Sequence, residues 1–142
     1  MAIGWDAKRE LSKINYRIHT DAVKEFFITP TLSPQEMAYT YASEADILNM
    51  ALFGKTASQW RNEKGISGKT PNIRDYASTE ELVVLINLED TNADLIRQEV
   101  PKIERLKILR EKAYRQLEIL KKNQETLDAL KKNLIEDSET NG

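Results

Sequence analysis

Helix-start signals recur along this chain at short intervals, and they limit its fold more than any other feature. In a capping box, the hydroxyl of the residue before the helix accepts from the N3 amide, and the N3 side chain returns a bond to the cap. Ser33-Pro34-Gln35-Glu36 fits that pattern, with proline at the first helical position, where its missing N–H costs nothing. Thr56-Ala57-Ser58-Gln59 and Ser78-Thr79-Glu80-Glu81 fit as well. Ser43-Glu44-Ala45-Asp46 is a weaker start that would place acids at the positive end of a helix dipole. Gly54 and Gly65 stand where left-handed C-caps are needed.

The apolar periodicity agrees with these starts. Leu11, Ile14, Ile18, Ala22 and Phe26 step by threes and fours within a helix predicted from about Trp5 to Ile28. "TPTLSP" then breaks the chain. From Ser78 onward Leu82, Leu85, Ile86, Leu88, Ala93, Leu95 and Ile96 give a face broad enough for a central, buried helix. The chain bends near "QEVPK", with Pro101 suited to a first turn. A last, long helix carries Ile103, Leu106, Leu109, Ala113, Leu117, Leu120, Leu127, Leu130 and Leu134, with Gln124 interrupting the seam. Only "MAYTYA" offers a short strand as a competitor. The expected fold is all-α: a multi-helix domain over residues 1–135 with a long C-terminal helix, followed by an acidic, disordered tail at 136–142.

A chain of 142 residues buries enough surface for one core. It has no cysteine, so disulfides, thiolate metal sites and cysteine nucleophiles are excluded together. No run approaches the ~18 apolar residues of a membrane span, and "MAIGWDAKRE" has no apolar signal core, so no membrane and a cytoplasmic location are expected. The net charge of −2 supplies no global basic field, so a nucleic-acid surface would have to be local.

The tripeptide Gly-Lys-Thr occurs at 54–56 and again at 68–70. A phosphate-binding loop needs a further glycine five residues before the Gly-Lys pair, and those positions hold Asn49 and Glu63. Both copies are therefore turns. The first lies inside the outline of a helix-turn-helix, residues 43–64, with Trp60 facing inward. In that arrangement Ser58, Gln59, Arg61, Asn62 and Lys64 would meet bases or phosphates. The blander account packs two short helices through Leu48, Leu52, Phe53 and Trp60.

Between Lys102 and Lys132 ten basic residues alternate with five acids, several at helical spacing such as Glu118 with Lys122, as on a solvated helix face. The apolar seam of the same helix can be a core face or an intermolecular coiled coil through Leu106, Leu109, Ala113, Leu117, Leu120 and Leu127. His19 is the single histidine, on a helix, and neighbouring acids such as Glu80-Glu81 and Glu89-Asp90 point apart on a helix. No catalytic residue, metal site or cofactor is expected, and the chain is not expected to be an enzyme.

Two stretches, "YASEADILNMALFGKTASQWRNEKG" and "NIRDYASTEELVVLINLEDTNADLIRQ", resemble the region that follows the DNA-binding domain in KilA-N proteins of phages and prophages. "GWDAKRELSKINYRIHTDAVKE" looks like the segment joining the two. The likeness runs from about Gly4 to about Leu120, with "NIRDYAS" its most distinctive part. The "ISGKTP" connection looks longer than the family's link. DNA binding in that family belongs to the KilA-N domain, which has no counterpart in these residues, so none of its DNA-contacting residues carries over. The favoured expectation is a non-catalytic helical interaction or oligomerisation module of a KilA-N-type protein, a homo-oligomer through the apolar seam from Ile103 to Leu134 with a protein partner of phage or host origin. Two alternatives stand beside it: nucleic-acid binding through the helix pair, and a free phage effector that blocks a host nucleic-acid-processing defence machine.

Overall fold

In the computed structural model the backbone is described for residues 5–68 and 72–141, and side chains for residues 10, 13–68, 72–125, 129 and 132. Among the described residues five α-helices follow one another: α1 (Trp5–Phe27), α2 (Pro34–Phe53), α3 (Ala57–Lys64), α4 (Thr79–Arg97) and α5 (Lys102–Asn141). A 3-10 turn, Ile73–Tyr76, lies between α3 and α4. No strand occurs among the described residues. The fold is all-α, with a long last helix.

The capping signals act as the chemistry requires. Ser33, Thr56 and Ser78 each accept from the N3 amide, and Glu36, Gln59 and Glu81 each return a bond to the cap amide. Asn72 and Asp75 do the same for the 3-10 turn. Gly54 and Gly65 close α2 and α3 at φ 76° and 70°, the left-handed region where a side chain is strained.

Helix α4 lies at the centre. It packs against α1 on one side and α5 on another, while α2 leans on α5 and α4. Cross-helix bonds give the directions. Asn15 donates to the Ile86 carbonyl and Glu25 pairs with Arg97, so α1 and α4 run the same way. Asn87 donates to Gln116 and Lys112 to Thr91, so α4 and α5 are antiparallel. The main core joins Ile47, Leu48 and Ala51 of α2, Val84, Leu85 and Leu88 of α4, and Leu109 and Ala113 of α5. A second cluster joins Ala22 and Val23 of α1 to Ala93 and Ile96 of α4.

Several expectations need correction. Ser43 starts no helix: α2 is continuous from Pro34, "MAYTYA" is helical within it, and the Ser43 hydroxyl accepts from Lys102. The buried face of α1 is not Ile14, Ile18 and Phe26, which are exposed. It is His19, Ala22 and Val23, with Asn15 and Phe27 half-buried. That face wins because α4 offers hydrogen-bond partners to Asn15 and His19, and Ala22 lets the helices approach. The side chain of Leu11 lies outside the described residues. The backbone of α5 is helical to Asn141.

Candidate functional site

The four long helices meet around a chain of buried polar groups. Arg105 of α5 grips Glu44 of α2, with Nη1–Oε2 at 2.7 Å and Nη2–Oε1 at 3.2 Å. The same Nη1 donates to Oδ1 of Asn92 on α4 at 3.1 Å, and Arg105 Nε donates to the Val100 carbonyl at 3.0 Å. Asn92 Nδ2 then lies 2.8 Å from His19 Nε2 on α1. All four side chains are buried.

This order fixes the protons. Arg105 can only donate, so Asn92 must turn its oxygen to it and its amide nitrogen to His19. His19 Nε2 is therefore the acceptor, and the neutral ring carries its proton on Nδ1, which has no hydrogen-bond partner among the described residues. Burial lowers the His19 pKa to about 4; the Glu44 carboxylate works against that shift, and Arg74 and Arg105 add to it. An imidazole held neutral, 1% exposed and with its basic nitrogen already bonded, is a structural group.

A second buried carboxylate stands apart from this chain. Glu89 of α4 is fully buried and pairs with Arg74 of the 3-10 turn, Nη1–Oε1 at 3.0 Å, without a well-aligned hydrogen bond to either oxygen among the described residues. Burial pushes its pKa up to about 7 against the opposing pull of the Arg74 guanidinium. Arg74 also lies 4.8 Å from the centre of the Tyr16 ring on α1. Its neighbour Asp90 is exposed, so the adjacent acids do point apart. Among the described residues no group of histidines and acids is placed to hold a metal ion.

The helix-turn-helix residues do not share one face. Ser58 and Arg61 line a groove with Tyr39, Met50, Lys102 and Ile103, between α2 and the start of α5. Lys64 lines a different cleft, with Phe53, Trp60 and Tyr76. Asn62 is exposed, and Gln59 spends its side-chain oxygen on the Thr56 amide at 2.9 Å. Lys55 pairs with Glu63 at 2.6 Å. Asp46 of α2 accepts from the Ala57 amide at 2.9 Å and so ties α2 to the start of α3. Trp60 is buried, as expected, and its ring partner is Tyr76 of the 3-10 turn at 5.4 Å, a contact the sequence did not suggest. The second Gly-Lys-Thr copy, with Lys69 and Thr70, lies outside the described residues.

The expected oligomer seam divides. Leu109 and Ala113 are core residues, and Leu106, Leu117 and Leu120 pack against the same cluster. The core-face alternative holds for these five. The side chain of Leu127 lies outside the described residues.

The polar residues Glu44, Glu89, Asn92 and Arg105 escaped sequence reasoning, although a signal was there. Arg105 falls in step with Leu109 and Ala113, Glu44 with Ile47, Leu48 and Ala51, and Glu89 with Leu85 and Ile96. Charge in the apolar register marks a buried pair. No helix among the described residues is long and apolar enough to cross a membrane. Comparison with protein-family models, curated proteins and solved structures finds no match to this chain.

Proposed function

We propose that this chain is a non-catalytic helical interaction module that self-associates through the far part of α5. The observation that carries it is the length of that helix against its neighbours. Lys102 and Arg105 sit beside Ser43 and Glu44, and Gln116 sits beside Asn87, so α2 ends and α4 begins well before α5 is finished. Leu120 is the last α5 side chain packed on the core among the described residues. At ~1.5 Å per residue, roughly 30 Å of helix continues beyond it.

Leu127 and Leu134 repeat at intervals of seven after Leu120, so the sequence carries the apolar register past the end of the bundle. A long helix with such a register gains cover most simply from the same helix of a second copy. The resemblance to the segment that follows the DNA-binding domain in KilA-N proteins agrees with this reading. A module of that kind in a phage or prophage protein would bring copies of another domain together.

Sedimentation equilibrium at micromolar concentration tests the proposal. A dimer is expected, and Leu127→Glu should weaken it at least about a hundredfold while the bundle remains folded. A wild-type monomer under those conditions would overturn the self-association.

A further inference from the structure

A cavity of about 380 Å³ opens where α1, α2 and the 3-10 turn converge. Its walls are apolar at Ala45, Ala57, Ile73 and the Tyr16 ring, and its polar groups are Lys13, Asn49, Asn72 and Arg74. No carboxylate is among the described residues that line it. Glu89 is ion-paired with the lining Arg74 at 3.0 Å, and two further acids have other tasks. Asp46 faces the neighbouring groove and holds the Ala57 amide, and Glu10 pairs with Lys13 at 3.5 Å out in solvent.

Lys13, Asn72 and Arg74 put donors along the polar edge, while Asn49, whose amide nitrogen turns to Asp46, adds an oxygen. Asn72 uses its side-chain oxygen on the Arg74 amide, which leaves its NH₂ as the group it can offer. Asn49 donates to Asp46 at 3.4 Å. Arg74, ion-paired through Nη1 to Glu89, brings a planar guanidinium whose charge suits a carboxylate. Tyr16 stacks beneath that guanidinium and holds it in place. The volume lies in the range of small-molecule sites, and a mostly apolar wall with a few convergent donors is how such sites are built.

We propose that this cavity binds a small organic carboxylate, its flat body between Tyr16 and Ala57 and its charged end on Arg74. Behind Arg74 lies the fully buried Glu89, whose oxygens make no well-aligned hydrogen bond. A carboxylate ligand draws the Arg74 charge toward itself and leaves Glu89 with less compensation. Glu89 then takes up a proton as the ligand binds.

The other groups around Glu89 do not replace that compensation. On α1, Tyr16 lies against Arg74, and His19 is neutral and bonded to Asn92. Arg105 of α5 is held by Glu44 of α2 and by Asn92, and Lys112 of α5 by Thr91. Arg74 is the charge that the titration of Glu89 answers to.

Benzoate is a suitable probe because it is ionised throughout pH 6–8, and benzyl alcohol is its neutral control. In the full chain, benzoate should give saturable shifts in the NMR signals of Ala45, Ala57 and Tyr16. Binding should tighten roughly tenfold from pH 8 to pH 6, because proton and carboxylate uptake are linked. Glu89→Gln should give the tight form at both pH values, and the exposed Lys13→Ala should weaken binding a few-fold without touching the fold. No saturable shift with benzoate at pH 6, or equal binding of benzyl alcohol, overturns the site. A pH dependence that survives Glu89→Gln overturns the proton coupling.

Discussion

Arg105 and Glu44 face each other two-pronged between α5 and α2, both side chains buried. Removing one partner leaves the other charge buried and uncompensated. Arg105→Met is therefore expected to cost about 3–5 kcal/mol. The double variant Glu44→Met/Arg105→Met should recover part of that loss. About 1–3 kcal/mol should remain, because Asn92 Oδ1 loses its donor as well. Urea unfolding of the two singles and the double measures the coupling. Additive losses would show that the pair does not act as a unit.

At the corner between α2 and α3, two adjacent residues should behave very differently. Trp60 is 5% exposed and covered by Tyr76, so Trp60→Ala is expected to cost about 3–5 kcal/mol. Gln59 closes the capping box on Thr56, so Gln59→Ala should cost roughly 0.5–1 kcal/mol despite its exposure. Arg61→Ala, with no cap to lose, should stay within about 0.5 kcal/mol. Thermal melts of the three variants check the ranking. A melting temperature for Trp60→Ala equal to that of wild type would refute the packed corner.

Local chemistry was legible in the sequence, and the meeting of helices was not. Ser33, Thr56 and Ser78 mark helix starts because a cap is a contract among four consecutive residues. The broad face of α4 announced a central helix for a similar reason, since its periodicity lies within one element. The buried side of α1 did not, because its choice of Asn15 and His19 over Ile14 and Ile18 depends on what α4 presents. Arg105 counted among the charges of a solvated face for as long as Glu44, some sixty positions earlier, was not known to lie beside it. Tyr76 against Trp60 is the same case. In the cavity near Arg74, Lys13, Asn49 and Asn72 come from three separate elements, and nothing in their spacing brings them together.

The turn from α4 into α5 holds a removable strain. Glu99 has φ 58°, in the left-handed region, and it is the only residue other than glycine with positive φ among those described. It occupies the C′ position of a Schellman motif: its amide donates to Ile96 at 2.9 Å and the Val100 amide to Leu95 at 3.0 Å. Glycine is the residue that position favours. Glu99→Gly should therefore stabilise the fold by roughly 0.5–1 kcal/mol, the relieved strain exceeding the added freedom of the unfolded chain. Glu99→Val should destabilise it by a similar amount or more. Melting temperatures moving in the same direction for both variants would contradict this account.

The two buried titrating groups pull stability in opposite directions with pH. His19 has a folded-state pKa near 4 against 6.5 unfolded, so between these values the unfolded chain holds more protons. Its contribution is complete above about pH 6.5 and is lost on acidification. Glu89 has a folded-state pKa near 7 against 4.5 unfolded, so there the folded chain holds more protons. Its contribution is complete below about pH 4.5 and is lost as pH rises through 7. From pH 4.5 to 6.5 the two slopes oppose and largely cancel in the wild type. Each variant should unmask the other group. Glu89→Gln should lose stability on acidification through this window by up to about 1.4 kcal/mol per pH unit relative to wild type, and His19→Gln should gain it at a similar slope. Reading differences from wild type removes carboxylates common to all, such as Glu36, whose pKa is lowered by its bonds to Ser33. Urea midpoints at pH 4.5, 5.5 and 6.5 give the slopes directly. Two single variants with parallel profiles would mean that one of these side chains does not titrate in the buried place described for it.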